Sequence, residues 1–379
     1  MTHPSFYGSV IGGEVTERLK VPDLKSGAPE RASWVRIPPS PPNSAVSRIL
    51  PDRDEFARLP RDLLLYGGTS LSYGLVGDPS VRTYSCEHGT IAFGEAWTPV
   101  GKRVIAASDP LCAPESLTRL LESFLRAHPK AAFFQVSRET ADALAAFGYR
   151  KTHMGVETTI PLREWSPAGH KQQCFRSALN RAKREGHVIV EARCEEVGIE
   201  RLKTLSAGWM LEKAQWKREI SFFGRPAIYA HEPGVRKFFA LRNGAPTAFV
   251  FFDPMFRLGQ AFGYVAMTLR QHPAATPGLC DAVILHAALQ FKAEGVEELQ
   301  LGMSPFRPPR DPFATIGEPA WATMFVTANW TLLDGLFNHQ GIAGHKRRWN
   351  GIEKPVYYAG TRNRSFFDFV AAARLTGLL

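Results

Sequence analysis

Three cations in the segment FRSALNRAKREG, residues 175–186, have the spacing of a phosphate-binding face on a helix. Arg176, Lys183 and Arg184 line one face, because residues three, four and seven apart share a side of a helix. An apolar stripe lies beside them, formed by Phe175, Ala178, Leu179 and Ala182. Gly186 predicts the end of the helix. A solvated surface helix has the same pattern, so both interpretations stay open.

A second run of cations could also hold a phosphate group. It consists of His345, Lys346, Arg347 and Arg348. Lys217 and Arg218 lie in a predicted loop, where a phosphate contact fits the sequence as well. Ordinary wet surface accounts for either run, so charge spacing alone does not establish a phosphate site.

Three further polar residues stand where predicted elements begin or end, a usual place for ligand contacts. Arg270 ends a strand, Asp281 lies in the second turn of the next helix, and Ser304 follows the next strand. Each also has a plain structural explanation. These are a surface arginine, an acid favoured by the helix dipole and a turn serine that bonds its own backbone.

Cysteine chemistry is not indicated by the sequence. The five cysteines are odd in number and widely spaced, at positions 86, 112, 174, 194 and 280. No pair has C-x-x-C spacing, so neither a metal site nor a disulfide framework is predicted. A nucleophile elbow is not predicted either, because the sequence has no G-x-S-x-G. Free thiols fit a reducing cytoplasm.

The apolar pattern predicts strands alternating with helices from about residue 60. In the first half it predicts a helix, a strand, a helix and a strand, at residues 117–125, 131–136, 138–147 and 153–162. A helix at 199–213 follows the basic helix, and three strands come next, at 235–242, 247–253 and 259–269. Asn243-Gly244 predicts a hairpin between the first two of these strands. Thr276 and Pro277 predict the start of a helix ending at Glu294, before a strand at 297–302.

Length and charge restrict the class of protein. The chain has 379 residues, enough for two or three domains, and a net charge of +10. A basic surplus favours anionic partners such as nucleic acid or an anionic membrane surface. The sequence has no apolar run of the roughly 18–20 residues that a membrane span needs, and no signal-peptide pattern. We therefore expect a cytoplasmic protein, with contact at the inner face of the cell membrane as an open possibility.

The segment 12–42 has no helical or strand period, which is typical of a flexible, proline-rich tail. Its inferred codons indicate another origin. Residues 34–38 can be written with the TTCGA of a tRNA T-loop, and residues 39–42 with a tRNA 3′ end carrying CCA. The segment resembles a translated serine tRNA gene. The hypothesis is a start codon assigned too far upstream, with disorder and no function in residues 1–50.

Several ordered blocks of the remaining chain resemble one family. They include SDPL (108–111), FFQVS (133–137), MGVET (154–158) and LSAGWMLEK (205–213), besides the basic helix. The most specific blocks are LRQHPAATPGLCDAV (269–283), LQLGMSPF (299–306), FNHQGIAGHKRRW (337–349) and VYYAG (356–360). Together they resemble the soluble C-terminal domain of the phosphatidylglycerol lysyltransferase (lysyl-phosphatidylglycerol synthase) family. The likeness covers roughly residues 100–360.

The resemblance implies an α/β (α+β) fold of two tandem GNAT-like acyltransferase domains. Their sheets would be mixed, mostly antiparallel and flanked by helices. We expect a first domain at 51–168, a basic connecting helix at 169–190 and a second domain with the active site at 191–379. The family's polytopic membrane half is absent from this sequence. The family's Asp-Leu-Met-Arg strand end reads Ala266-Met267-Thr268-Leu269-Arg270 here, so an acidic residue is missing while the arginine remains.

The implied activity is transfer of an aminoacyl group from aminoacyl-tRNA to a phospholipid, or to a small hydroxyl or amine compound. Aminoacyl-tRNA would be the co-substrate, with no other cofactor, no metal and no DNA partner. Arg270 would face the ester or a phosphate, Asp281 would act as base or bind the donor amine, and Ser304 would contact ligand. The expected tRNA contacts are Arg176, Lys183, Arg184, Lys217, Arg218, Lys346, Arg347 and Arg348.

Three residues are candidates for the substrate pocket, each with a plainer alternative. Glu157 fits an outward-facing charge on an alternating strand, Glu212 an exposed helix-end charge, and Met303 the core. Two other functions remain open. In a CoA-dependent N-acyltransferase, the segment 338–343 would stand in for the pyrophosphate loop. A tRNA- or lipid-binding module without catalysis is the other alternative.

Overall fold

The computed structural model describes residues 53–78, 81–212, 219–310, 339–361 and 365–379, with the single residues Thr315 and Ala328. The predicted tail (1–50) and the predicted phosphate contacts Lys217 and Arg218 therefore lie outside the described residues. In the part that is described, no helix is long and apolar enough to cross a membrane.

Eleven strands, numbered β1 to β11, form one mixed sheet. In chain order they are Arg82–Cys86, Gly89–Thr98, Gly101–Ala107, Ala132–Val136, Arg150–Pro161, His187–Glu191, Arg236–Arg242, Ala245–Arg257, Gln260–Gln271, Glu298–Pro305 and Ile352–Gly360. Their order across the sheet is β1-β2-β3-β4-β11-β5-β10-β9-β8-β7-β6. Two neighbouring pairs, β3/β4 and β9/β10, are parallel, and the others are antiparallel.

Helices flank this sheet, numbered α1 to α11 as described. They are Arg53–Phe56, Arg61–Tyr66, Ser72–Gly77, Leu117–Ala127, Arg138–Ala145, Gln173–Arg184, Cys194–Val197, Ile199–Glu212, Leu279–Ala293, His339–Arg348 and Ser365–Leu375. In the second half, α6 and α9 pack on one face and α8 packs on the other. In the first half, α4 and α5 cover one face and α11 covers the other. The α/β class with a mostly antiparallel sheet is as predicted.

The sheet crosses the predicted domain boundary at residue 168. β5 pairs with β10, and β11 lies between β4 and β5, so the C-terminal strand completes the sheet of the first half. The division into 51–168, 169–190 and 191–379 stays a prediction, and the hydrogen-bonded ladder between its parts is continuous.

Local sequence signals predicted most helices and strands, but one helix begins later in the chain than predicted. Asn243 and Gly244 both have positive φ, 51° and 75°, as the predicted hairpin turn requires. The helix predicted from Thr276-Pro277 instead begins at Leu279, with Gly278 as its N-cap. The Thr276 hydroxyl donates to Glu185 of the basic helix segment at 2.6 Å, so it is not available as a cap. Asp281 therefore lies in the first turn of α9, not the second.

Candidate functional site

The parallel strands β9 and β10 separate partway along their length. They pair only from Glu298–Gly263 to Gln300–Val265. β9 then carries a bulge, because Ala266 and Thr268 pair with consecutive residues of β8 and Met267 has no partner opposite. β10 shifts its register against β5 between Gln300 and Met303. The two strands thus leave a gap, the β9/β10 fork, at their carboxyl ends.

A cavity of about 410 Å³ lies at this fork. Its described lining comes from β9, β10, α9 and α10: Ala266, Met267, Leu269, Ile284, Leu301, Gly341, Ile342, His345 and Lys346. This volume falls in the range of about 300–1,000 Å³ typical of small-molecule sites. The fork is therefore large enough to be a small-molecule site.

A carboxylate and an imidazole meet beside the cavity. Asp281 comes from the first turn of α9 and His345 from the last turn of α10, and Asp281 Oδ1 lies 2.5 Å from His345 Nε2. The positive end of the α9 dipole also stabilises this carboxylate. This pairing orients the imidazole and leaves its other nitrogen, Nδ1, for a substrate proton. The arrangement is that of a base held by an acid.

Lys346 is the second ionisable residue in the lining. Its Nζ donates to the carbonyl oxygen of Met303 at 2.7 Å. Burial lowers the pKa of its ammonium to about 8, and the nearby charge of Glu157 acts in the opposite direction. An ammonium with so little water around it interacts strongly with charge that develops in the cavity. Lys346 was predicted as a phosphate contact, and its surroundings suit the reacting group equally well.

Glu157 is buried, unlike the outward-facing charge that strand alternation favoured. It is 9% exposed, and its Oε1 accepts from Ser70 Oγ at 2.6 Å and from Gln135 Nε2 at 2.7 Å. Alternation fails because β5 lies at the centre of the sheet with both faces covered, where buried strands no longer alternate. Glu157 is thus hydrogen-bonded to Ser70 and Gln135, its charge acts on Lys346, and it is not part of the described cavity lining.

Met303 and Ser304 follow each other on β10 next to Lys346. Met303 contributes the carbonyl that holds Lys346, and its side chain packs against the apolar cluster on the α11 side. Ser304 is 1% exposed, and its hydroxyl has no hydrogen-bond partner within the described ranges. It lies opposite Val156 in the ladder, so Ser304 is part of the strand and not of a strand-end loop.

Arg270 is separated from Asp281 by the sheet. Its guanidinium donates to Glu219 at 2.9 Å and to Ser206 at 3.2 Å, and it lies 4.2 Å from the centre of the Trp209 ring. Ser206 and Trp209 belong to α8, whereas Asp281 belongs to α9 on the opposite face. The structure does not bring these two predicted catalytic residues together.

The basic helix α6 packs directly beside the site. Phe175 stacks on Trp349 at 3.9 Å between ring centroids and makes an edge contact with His345 at 6.0 Å. Lys183 and Arg184 are exposed, whereas Arg176 donates to the carbonyls of Pro167 and Gly169. The predicted apolar stripe therefore packs α6 against α9 and places Phe175 next to the end of α10. Of its three predicted phosphate contacts, two are free to reach a ligand in solvent.

The other predicted residues lie at the periphery. Arg347 and Arg348 are exposed in the last turn of α10. Glu212 is exposed at the last residue of α8. No cluster of three or more possible metal ligands occurs where the structure describes the chain. Arg347 and Arg348 thus directly follow the cavity-lining residues His345 and Lys346 along α10, whereas Glu212 lies at the end of α8.

Sequence reasoning missed the partnership of Asp281 with His345 and the contacts of Ser70 and Gln135 with Glu157. The paired residues are 64, 87 and 22 positions apart, so no local pattern links them. Only the HKRR run drew attention to His345. The same run gave Lys346, so the cluster of cations was the sequence signal that pointed into the cavity.

Comparisons with known proteins agree with the resemblance. The family model described as "Phosphatidylglycerol lysyltransferase, C-terminal" matches residues 79–360. A phosphatidylglycerol lysyltransferase of Staphylococcus aureus (strain MRSA252) is 21% identical over 313 residues, which are 80% of this chain and 35% of that protein. The chain thus spans about a third of the length of this relative.

Two solved structures share the fold. L-PGS from Bacillus licheniformis has a TM-score of 0.67 and 20% identity, covering 86% of this chain and 97% of its own. The C-terminal domain of a provisionally named lysylphosphatidylglycerol synthetase from Agrobacterium fabrum has a TM-score of 0.66 and 19% identity, covering 86% and 98%. The predicted fold class is confirmed. Since the family model spans most of the chain, the protein belongs to the phosphatidylglycerol lysyltransferase C-terminal family.

Proposed function

We propose that this protein transfers an aminoacyl group from aminoacyl-tRNA to a hydroxyl of a phosphatidylglycerol-like lipid, or to a small hydroxyl or amine compound. The observation that carries the proposal is the cavity at the β9/β10 fork. It joins an oriented imidazole, that of His345, with the ammonium of Lys346. Membership of the family supports the same class of reaction.

The chemistry needs no covalent intermediate, because an aminoacyl ester is already activated. The acceptor oxygen attacks the ester carbonyl carbon, while its proton passes to His345. The bond between that carbon and the ribose oxygen of the tRNA then breaks, and His345 returns the proton to the ribose oxygen. Asp281 holds the imidazole and stabilises its protonated form between these steps.

Lys346 has the complementary role. The tetrahedral intermediate carries a negative charge on the former carbonyl oxygen. An ammonium fixed by the Met303 carbonyl and shielded from water stabilises that oxyanion without having to reorganise. Lys346 thereby supplies the electrostatic part of catalysis that the sequence had assigned to Arg270.

The donor docks along α6. Arg347 and Arg348 follow the lining residue Lys346 along α10, and Lys183 and Arg184 are exposed on α6. These cations exchange with counterions of the tRNA backbone. Phe175 connects this surface to His345 through an aromatic contact. Aminoacyl-tRNA is the co-substrate in this scheme, and the aminoacyl end enters the fork while the backbone stays outside.

A membrane surface is within reach of the same edge of the sheet. Strand directions put the tip of the β2–β3 hairpin at the edge where β9 and β10 end. Trp97 and Val100 at this tip are 69% and 54% exposed, with Lys102 beside them. Tryptophan favours the membrane interface and lysine favours anionic headgroups. This supports peripheral contact with an anionic lipid acceptor.

The decisive experiment incubates the purified chain with radiolabelled aminoacyl-tRNAs and vesicles containing phosphatidylglycerol, and follows label into the lipid fraction. Transfer that is lost in His345→Gln and kept in His231→Gln, an exposed histidine elsewhere, supports the proposal. Label moving to soluble amines instead identifies a soluble acceptor. Transfer from acetyl-CoA and none from any aminoacyl-tRNA would establish the CoA-dependent alternative. Binding of tRNA or vesicles without any product would establish the non-catalytic module.

A further inference from the structure

The cavity at the β9/β10 fork is lined mostly by apolar side chains, and the two ionisable residues in its described lining are both bases. We propose that it selects a neutral, apolar aminoacyl side chain and rejects a cationic one such as lysyl. This inference rests on the proposed function and specifies its substrate class. It is carried by the chemistry of the cavity lining.

Most of the lining cannot pair with a positive charge. Six of its side chains are apolar, those of Ala266, Met267, Leu269, Ile284, Leu301 and Ile342. The ionisable residues in the described lining are His345 and Lys346, and both are bases. A lysyl ammonium held against these residues would lose its water and gain no carboxylate, which is strongly unfavourable.

Two carboxylates close to the cavity in the described part of the chain are already engaged. Asp281 is bonded to His345 at 2.5 Å, and Glu157 accepts from both Ser70 and Gln135. Neither belongs to the described cavity lining. A cationic substrate could recruit Asp281 only by displacing His345, and this would disable the proposed base.

The ammonium of Lys346 would also repel a cationic aminoacyl side chain. Burial already disfavours its positive charge, and a second ammonium in the same cavity would disfavour it further. Like charges brought together in a water-poor site cost several kcal/mol. A neutral aminoacyl side chain instead meets the apolar lining, where burial of apolar surface favours binding.

The bulge on β9 contains Met267, the lining residue on which the proposed selectivity depends most. Met267 is the residue without an opposite partner on β8; it lines the cavity and also packs against the apolar cluster on the α11 side. Methionine at this position is flexible and apolar and adapts to side chains of different shape. A carboxylate here would change the preference for charge while the backbone stays as it is.

The test measures binding separately from transfer. Adenosine carrying a 3′-amide-linked norleucyl, alanyl or lysyl group is titrated into the full chain by calorimetry. Norleucyl is the neutral analogue of lysyl, so the pair differs mainly in charge. We expect norleucyl to bind at least about 100-fold more tightly than lysyl, the scale of a several-kcal/mol penalty for like charges. Equal or tighter binding of the lysyl compound would overturn the inference.

A variant pair sharpens the result. Met267→Asp should reverse the preference toward lysyl, because it supplies the missing carboxylate. Leu258→Asp adds the same charge at an exposed position of the β8–β9 turn and should leave the preference unchanged. Met267→Leu keeps the cavity apolar and should keep the preference for norleucyl over lysyl. An unchanged preference in a folded Met267→Asp chain contradicts the inference.

Transfer assays with the matching aminoacyl-tRNAs distinguish the two levels of the proposal. Transfer of neutral residues with little lysyl transfer supports both. Efficient lysyl transfer overturns the specificity and leaves the proposed function intact. Selective binding of the norleucyl amide without transfer from any aminoacyl-tRNA overturns the proposed function, while the specificity of the cavity stands.

Discussion

The two parallel strand pairs end in different ways. β3 and β4 pair from Ile105–Ala132 to Ala107–Phe134 and then separate, as β9 and β10 do. At the first fork Ser108 and Gln135 both adopt positive φ, 69° and 54°. Gln135 Nε2 donates to Glu157 and Ser70, at 2.7 and 3.1 Å. At the second fork an apolar cavity remains.

The difference shows how one backbone motif serves two purposes. Polar side chains of α3 and its preceding loop fill the first fork and satisfy one another, including Thr69 with Ser72 at 2.7 Å. A satisfied buried network is rigid and specific. At the second fork, a bulge and a helix with cations leave space for a ligand. The first fork stabilises the fold, and the second carries the proposed chemistry.

The largest effect should come from the base at the second fork. His345→Gln should lower turnover by about 10²–10⁴-fold, the usual contribution of a general base. Asp281→Asn should act in the same direction, because it removes the charge that holds the imidazole. Single-turnover transfer rates on folded variants measure this. Near-normal rates in both variants would show that the active site does not lie at the second fork.

The second largest effect on turnover should come from removing the ammonium of Lys346. Lys346→Gln should lower turnover by about 10²–10³-fold, the scale of one lost oxyanion donor. Because the pKa of Lys346 is lowered to about 8, activity should fall as pH rises through that value. Lys346→Arg stays charged and should lose this alkaline limb. A pH profile of the arginine variant identical to that of the parent contradicts the assignment.

The lowered pKa of Lys346 also predicts how the stability of the folded protein depends on pH. Burial lowers the pKa of Lys346 in the folded protein, so folding is disfavoured below about pH 8 and relieved as pH rises toward the unfolded value. Lys346→Met should therefore raise the melting temperature by a few degrees at pH 7, while it removes activity. The gain should vanish above about pH 10. A melting temperature lowered at pH 7 would contradict the burial argument.

Arg270 tests whether the opposite face of the sheet contributes to chemistry. Arg270→Ala removes bonds to Glu219 and Ser206 and a cation–π contact with Trp209. We expect a loss of about 1–3 kcal/mol in unfolding free energy, with turnover of the folded fraction little changed. A loss of about 10²-fold or more in turnover by fully folded protein would restore Arg270 to the active site.

The smallest effect should come from the first fork. Ser70→Ala removes one of two donors to Glu157 and should cost about 1 kcal/mol of stability, measured by urea unfolding. Transfer rates should stay within about twofold, because Ser70 touches neither substrate nor cavity lining. A fall in turnover that exceeds the loss of folded protein would show that the two forks act together.

The sequence predicted elements better than their arrangement. Helix periodicity at 117–125 and the Asn243-Gly244 turn are local signals, and both describe the structure correctly. The insertion of β11 between β4 and β5 has no local signal, since pairing partners nearly 200 residues apart leave no mark on sequence period. The continuity of the sheet was therefore beyond sequence reasoning.

The site was predicted in part for the same reason. Asp281 was recognised by its position near a helix start, and the cations of α6 by their spacing. The direction of Arg270 was missed because the bulge at Met267 changes which side chains share a face of β9. The burial of Glu157 was missed because a charge on a strand ordinarily faces solvent. Both errors arise from tertiary packing and not from misread residue types.

The position of β5 has a consequence for synthesis on the ribosome. Both of its neighbours, β10 and β11, come later in the chain. At about 5–20 residues per second, roughly 10–40 s pass between translation of β5 and of the end of β11. Both edges of the most central strand lack partners until β10 is made, and one edge stays unpaired until β11 follows. An unpaired strand edge is a template for aggregation, so we expect the nascent chain to be most prone to aggregation in this interval.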